Sequence, residues 1–260
     1  MNRRVPRWVV AAAAAVYLFL HAPLVALMVF SFNDSKFSSS WTGFTWEWYR
    51  RLLERDDILG GLRRSLFVGT IATLVATTFG TLLALALARH RVRGRQAVES
   101  LLYLPLVTPE IIVGISLLSL FVLVGIPLGL TSILIAHIAF CISFVAVVVG
   151  ARLKGMDQHL EEAAMILGAD EWAAFWKVTV PELLPGIVAG ALLAFTMSFD
   201  DYVITSFVSG SGSSTLPVVV YGMVRRNVEP SINAISTIIV VVTSLFIYLA
   251  DRLQSARLGR

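Results

Sequence analysis

Apolar residues in this chain come in long runs, not in the alternation of a half-buried strand or the narrow stripe of a surface helix. A bilayer core about 30 Å thick takes on the order of 20 helical residues to cross. Apolar windows of that length recur at Val9 to Phe32, Leu66 to Ala88, Leu101 to Val124, Leu128 to Gly150, Leu183 to Val208 and Ile232 to Ala250. The pattern predicts an all-α, polytopic membrane protein, one transmembrane domain over residues 1–260 with six spans and a long loop at 151–182. Arg3, Arg4 and Arg7 precede the first window. Its apolar stretch is too long for a secretory signal peptide, and no convincing small-residue cleavage site follows, so it is expected to stay as a signal anchor.

Composition sharpens the class. Hydrophobic residues make up 57% of the 260 and charged residues 15%, with a mean hydropathy of +0.79, where soluble domains carry roughly 25% charge. Nucleic-acid binding is therefore a poor reading of a pI near 9.5. The net charge of +4 comes from 21 basic against 17 acidic residues, a surplus that in a polytopic protein orients the loops. Six spans put both termini on one side, together with the segments 89–99 and 151–182. That side holds thirteen of the basic residues: Arg3, Arg4, Arg7, Arg89, Arg91, Arg93, Arg95, Arg152, Lys154, Lys177, Arg252, Arg257 and Arg260. Eight remain for the other face, among them Lys36, Arg50, Arg51, Arg55, Arg63 and Arg64 around the first external loop. Cytoplasmic N and C termini follow. Within that external loop, Trp41, Phe44, Trp46, Trp48 and Tyr49 read as an interfacial aromatic belt or as a docking surface for an outside partner.

The loop at 151–182 is too long for a connector and is patterned for helix. Asp157 is a candidate N-cap, Leu160, Ala163, Ala164 and Leu167 recur on one helical face, and Gly168 stands where a C′ residue ends a helix. A second short helix is expected from Asp170, with Trp172, Phe175 and Trp176 at i, i+3 and i+4 and Pro181 closing it. Such a hairpin could lie on lipid headgroups. Its residues match something more specific: Glu162, Ala163, Ala164, three residues, Gly168, nine residues, then Val178, Thr179, Val180 and Pro181. The run resembles the Glu-Ala-Ala, Gly, Ile-x-Leu-Pro signature of membrane permeases of binding-protein-dependent ABC importers, with Val178 and Val180 as conservative departures. That resemblance implies a coupling helix, at Glu162, Ala163, Ala164, Gly168 and Pro181, held in a groove of a cytoplasmic ATPase dimer. ATP and Mg would bind that partner, and no cofactor or metal this chain.

Further stretches narrow the likeness. Ser198-Phe199-Asp200-Asp201-Tyr202-Val203-Ile204-Thr205, Thr215-Leu216-Pro217, Val224 to Pro230, Pro105 to Ile112, Ser31-Phe32-Asn33 and Arg152-Leu153-Lys154-Gly155 together resemble the second permease of spermidine/putrescine importers, over nearly the whole chain. The resemblance implies a non-catalytic subunit of the bacterial cytoplasmic (inner) membrane that forms half of a pore. Its implied partners are a second homologous permease, the ATPase dimer and a periplasmic or lipid-anchored binding protein. Another small organic cation or an amino-acid-like solute remains an alternative cargo.

Candidate cargo contacts come from the residues themselves. An ionised carboxylate near the bilayer centre costs roughly 2.5 to 3.5 kcal/mol, so intramembrane acids are functional candidates. Asp200 lies about 22 Å along a helix from Pro185, at 1.5 Å per residue, which puts Asp200, Asp201 and the neighbouring Tyr202 in the outer part of the fifth span. Asp201 shares a helical side with Gly190, Ala194 and Met197, a strip that either lines a path or packs another helix. Glu110 follows Pro109, which can kink the third span and open backbone groups toward a cavity. The aspartates serve a cationic cargo, or they cap a broken helix or pair with Arg225 or Arg226. His137 reads as a hydrogen-bonded packing residue before a proton relay, and Cys141 as a small core residue. The tract Gly210-Ser211-Gly212-Ser213-Ser214 reads as a turn.

Rival classes lack their parts. An intramembrane hydrolase needs a Ser with a His or aspartates on separate spans, and a secondary transporter usually shows internal repeats, neither of which is evident. None of the lysines, Lys36, Lys154 and Lys177, completes a GxxxxGK[ST] phosphate loop, so energy has to arrive from outside the chain.

Overall fold

In the computed structural model the chain is helical from Arg7 onward, and its residues are described at 6–35, 40–90, 93–157, 159–226 and 230–258, the side chains of 226 and 246–258 excepted. Arg3, Arg4, Lys36, Arg91, Arg260 and the segment 227–229 lie outside the described residues, as do the side chains of Arg226, Arg252 and Arg257. Two compact units emerge, one of residues 1–59 with 220–260 and one of 60–219.

In the first unit, α1 (Arg7–Phe30) and α2 (Glu47–Leu53) pack against α12 (Pro230–Leu258). None of α1's residues is buried, as suits a helix that is apolar all round and meets lipid or other subunits. The aromatic run is tied to the end of α1. Trp48, 6% exposed, donates its indole N–H to the Asn33 carbonyl at 2.7 Å, and Phe32 stacks on Phe44 and on Tyr49. Trp41, Phe44 and Trp46 remain exposed.

The second unit contains most of α3 (Asp56–Arg89), then α4 (Arg95–Val107), α5 (Glu110–Val124), α6 (Leu130–Lys154), α7 (His159–Ile166), α8 (Glu171–Ala174), α9 (Val180–Asp200), α10 (Val203–Val208) and the start of α11 (Leu216–Arg226). Its spine is the pairing of α6 with α9. Gly186, Gly190 and Ala194 form the small-residue strip of α9 and are buried. A Cβ on Gly190 would meet Val145 at 3.3 Å, one on Gly186 would meet the Arg152 stem at 2.7 Å, and the Cys141 thiol lies 3.5 Å from the Ala194 carbonyl. The strip is thus a helix-packing surface, as close-approach residues allow. Of that side, Met197 and Asp201 reach the cavity described below, whereas Gly190 and Ala194 do not.

Among the described residues, four helices are long and apolar enough to cross a membrane: Arg7–Phe30, Asp56–Arg89, Leu130–Lys154 and the continuous run Glu171–Asp200. The third expected span is two helices, α4 and α5, bent by 114° at their junction. Thr108 is extended (φ −75°, ψ 133°) because the residue before a proline avoids the α region, and Pro109 then caps α5. The bend is far more than a kink; the pair makes a fifth crossing if it acts as one span. The sixth window falls on α12, whose described apolar stretch is Pro230–Leu245.

Two local expectations are corrected. Pro181 does not close the second loop helix: a π-helical turn at Phe175–Thr179, in which the Val180 amide reaches back to the Phe175 carbonyl, carries α8 directly into α9. Pro181 has no amide to donate and sits in α9's first turn, where that loss matters least. The fifth window is likewise not one helix, since α9 stops at Asp200 and α10 starts at Val203.

Helix contact in the second unit makes one position decisive. A Cβ at Gly80 on α3 would lie 2.7 Å from that of Val145 on α6, whereas one at Gly150 meets nothing within 4 Å. Gly80→Ala is expected to destabilise the purified protein by about 1–3 kcal/mol through overpacking, and Gly150→Ala to be neutral or stabilising by about 0.5–1 kcal/mol. Thermal unfolding of both variants checks the pairing; equal melting shifts would contradict it.

Candidate functional site

Both helix breaks open on one cavity of about 260 Å³, lined by Pro105, Glu110, Val113, Phe140, Phe144, Thr196, Met197, Asp200, Asp201, Tyr202, Val203 and Ile204. The bend at Pro109 delivers Glu110 from α5's first turn, where a carboxylate suits the positive end of the helix. The break after α9 delivers Asp200, Asp201 and Tyr202. Residues from separate windows of the sequence are therefore brought together: three acids with Phe140, Phe144 and Tyr202.

The two aspartates are not equivalent. Asp201 turns its carboxylate onto the next helix, accepting the Ile204 amide at 3.2 Å and the Thr205 amide and hydroxyl at 2.7 Å each. It thus satisfies the amino end of α10 from the residue just ahead of Tyr202, which holds the N-cap position. Behind it stands His137, fully buried, with Nδ1 2.7 Å from the Ser198 hydroxyl, Nε2 2.9 Å from the Thr205 hydroxyl and Nε2 3.4 Å from Asp201. The Thr205 hydroxyl gives its one proton to Asp201 and so can only accept at His137 Nε2, while the Ser198 hydroxyl pairs with Nδ1. Packing and hydrogen bonding account for His137. Asp200, by contrast, is exposed, as is Glu110. Neither has a hydrogen bond or ion pair to another side chain among the described residues.

The second candidate surface is the hairpin at 151–182. Asp157 accepts the His159 amide at 3.0 Å and starts α7. Gly168 (φ 96°) ends it, with its amide on Met165 and that of Ala169 on Ala164, the αL stop that glycine adopts at least cost. Asp170 caps α8 through the Ala173 amide at 2.6 Å, and Trp172, Phe175 and Trp176 stack edge to face. Glu162 and Ala163 are exposed and Ala164 is half-buried. Glu162 lies 3.2 Å from His159 Nδ1; that hydrogen bond, helped by the charge of Asp157, raises the His159 pKa above its usual value. The pair is exposed, so it holds Glu162 only weakly.

Residues 76–260 match the family described as "Binding-protein-dependent transport system inner membrane component". The chain belongs to this family. It is 43% identical over 239 residues to the spermidine/putrescine transport system permease protein PotC of Escherichia coli (strain K12), covering 92% of this chain and 90% of that one. It is 40% identical to the putrescine transport system permease protein PotI of the same strain, covering 96% and 93%. The fold matches a chain of the bacterial alginate ABC transporter in complex with its alginate-bound periplasmic protein, with a TM-score of 0.72 at 17% identity, covering 97% of this chain and 94% of that one. This is a multi-pass transport permease by family.

Sequence reasoning found each of the acids but not the network behind Asp201. Ser198, Asp201 and Thr205 recur at three- and four-residue spacing, a polar stripe within an apolar window, and that was the available signal. Nothing along the chain ties His137 to them.

The division between the aspartates sets an expectation for this family member. Asp201→Asn removes the charge behind three hydrogen bonds and should cost about 1–3 kcal/mol of stability, while Asp200→Asn should leave the melting temperature unchanged. Thermal unfolding in detergent checks this, and equal shifts would contradict the division.

Proposed function

We propose that the chain is the permease subunit of an ATP-driven importer of polyamines, carrying half of the translocation path. The observation that carries this reading is the cavity, where Glu110, Asp200 and Asp201 meet Phe140, Phe144 and Tyr202. A polyamine is a flexible chain of ammonium groups; each must shed water to pass, and a carboxylate or an aromatic face replaces that hydration. Asp201 is committed to its own hydrogen bonds, so Asp200 and Glu110 are the acids offered to cargo, with Asp201 adding negative potential behind them. The names of the relatives, spermidine/putrescine and putrescine permeases, support the same substrate class.

In this reading the hydrolysis of ATP, with Mg, belongs to a cytoplasmic ATPase dimer, and the chain itself catalyses nothing. Glu162, Ala163, Ala164 and Gly168 form the docking face for that dimer, and Pro181 lies at the entry to α9, which follows the hairpin without a break. A second homologous permease completes the path, and a periplasmic or lipid-anchored binding protein delivers the cargo. The termini lie in the cytoplasm of a bacterial inner membrane, in keeping with the basic count and with a hairpin that must meet the ATPase.

Uptake per assembled complex in proteoliposomes, with saturating spermidine-loaded binding protein, tests the proposal. Asp200→Asn and Glu110→Gln should each slow uptake by about tenfold, the value of a charged hydrogen bond, without loss of assembly. Unchanged turnover in both would remove the acids from the path.

A further inference from the structure

Arg89 is the last residue of α3, and the hairpin is folded onto it. Its Nη2 donates to the Glu161 carboxylate of α7 at 2.7 Å and to the Thr179 hydroxyl of the π turn at 3.2 Å. Its guanidinium carbon lies 5.2 Å from the centre of the Phe175 ring. One side chain thus joins the end of α3 to α7 and to the turn that opens α9. Thr179 is only 3% exposed, and the Glu161 and Arg89 side chains are 28% and 37% exposed, so the junction is partly withdrawn from water and less screened than a surface pair. Glu161 precedes Glu162 and points the other way: Glu161 is half-buried toward Arg89, whereas Glu162 is exposed.

The geometry points to Arg89 as a positioning residue for coupling, a strut that transmits displacement of α7 to α3 as well as along α8 into α9. This rests on the functional reading above, in which α7 is what the ATPase moves. Without the strut, α7 is fastened to the membrane helices mainly through its flanking segments, of which the stretch at 155–157 is not helical. A push on α7 would then be absorbed locally. With it, the same push reaches two long helices at once, because one guanidinium nitrogen bridges a carboxylate and a hydroxyl while the planar group lies against a ring.

The test is ATP hydrolysis by the full complex, measured as the ratio of the rate with spermidine-loaded binding protein to the basal rate. Arg89→Ala and Glu161→Gln should each lower that ratio about fivefold or more while basal hydrolysis and complex yield hold. Arg89→Lys keeps the charge but loses the planar group against Phe175 and should fall between. The reciprocal exchange, Arg89→Glu with Glu161→Arg, should recover part of the ratio. A ratio unchanged by Arg89→Ala and by Glu161→Gln overturns the strut, and so does a fall in yield and basal rate together with no recovery on exchange. A wild-type complex whose hydrolysis ignores the loaded binding protein overturns the functional reading itself.

Discussion

The buried carboxylate of Asp201 is the constraint on which the functional half of the second unit depends. Where α9 stops, the first amides of α10 lose their helical partners in surroundings with little water to replace them, and unpaired amides there are costly. Asp201 supplies the missing acceptors to Ile204 and Thr205. Its own charge is acceptable only because two amides and the Thr205 hydroxyl donate to it, and that hydroxyl is backed by His137, which Ser198 holds in turn. A four-residue polar cluster from α6, α9 and α10 therefore fixes a break that hydrophobic packing alone would close into a longer helix.

The break then sets what the cavity can do. It ends α9 at Asp200 and frees Tyr202 from the helix, and the independent bend at Pro109 brings Glu110 to the same space. Discontinuous helices around a site are a recurrent solution in transporters, since irregular backbone is tolerated where it lines a cavity. One aspartate holds the architecture and the other stays exposed at the cavity, so adjacent residues of the same type stand in different surroundings.

Legibility in the sequence followed the range of the interaction. Helical class, the caps of the hairpin at Asp157, Gly168 and Asp170, and the candidate acids were all readable, because each depends on local spacing or on a charge in an apolar window. The break in the fifth window and the sharp bend in the third were not, since an 18- to 25-residue hydropathy reading cannot distinguish one helix from two. Pro109 announced a kink but not its size, and Pro181 was misread as a stop because the π turn that accommodates it has no simple pattern. The partners of His137 and of Arg89 are 61 to 90 residues away, beyond any periodicity.

The most direct test of the central claim is a double-mutant cycle between Asp201→Asn and Thr205→Val, read as unfolding free energy of the purified protein in detergent. If Asp201 holds the break through Thr205, the double variant should be less destabilised than the sum of the singles by about 1 kcal/mol. Additivity to within about 0.3 kcal/mol would contradict it.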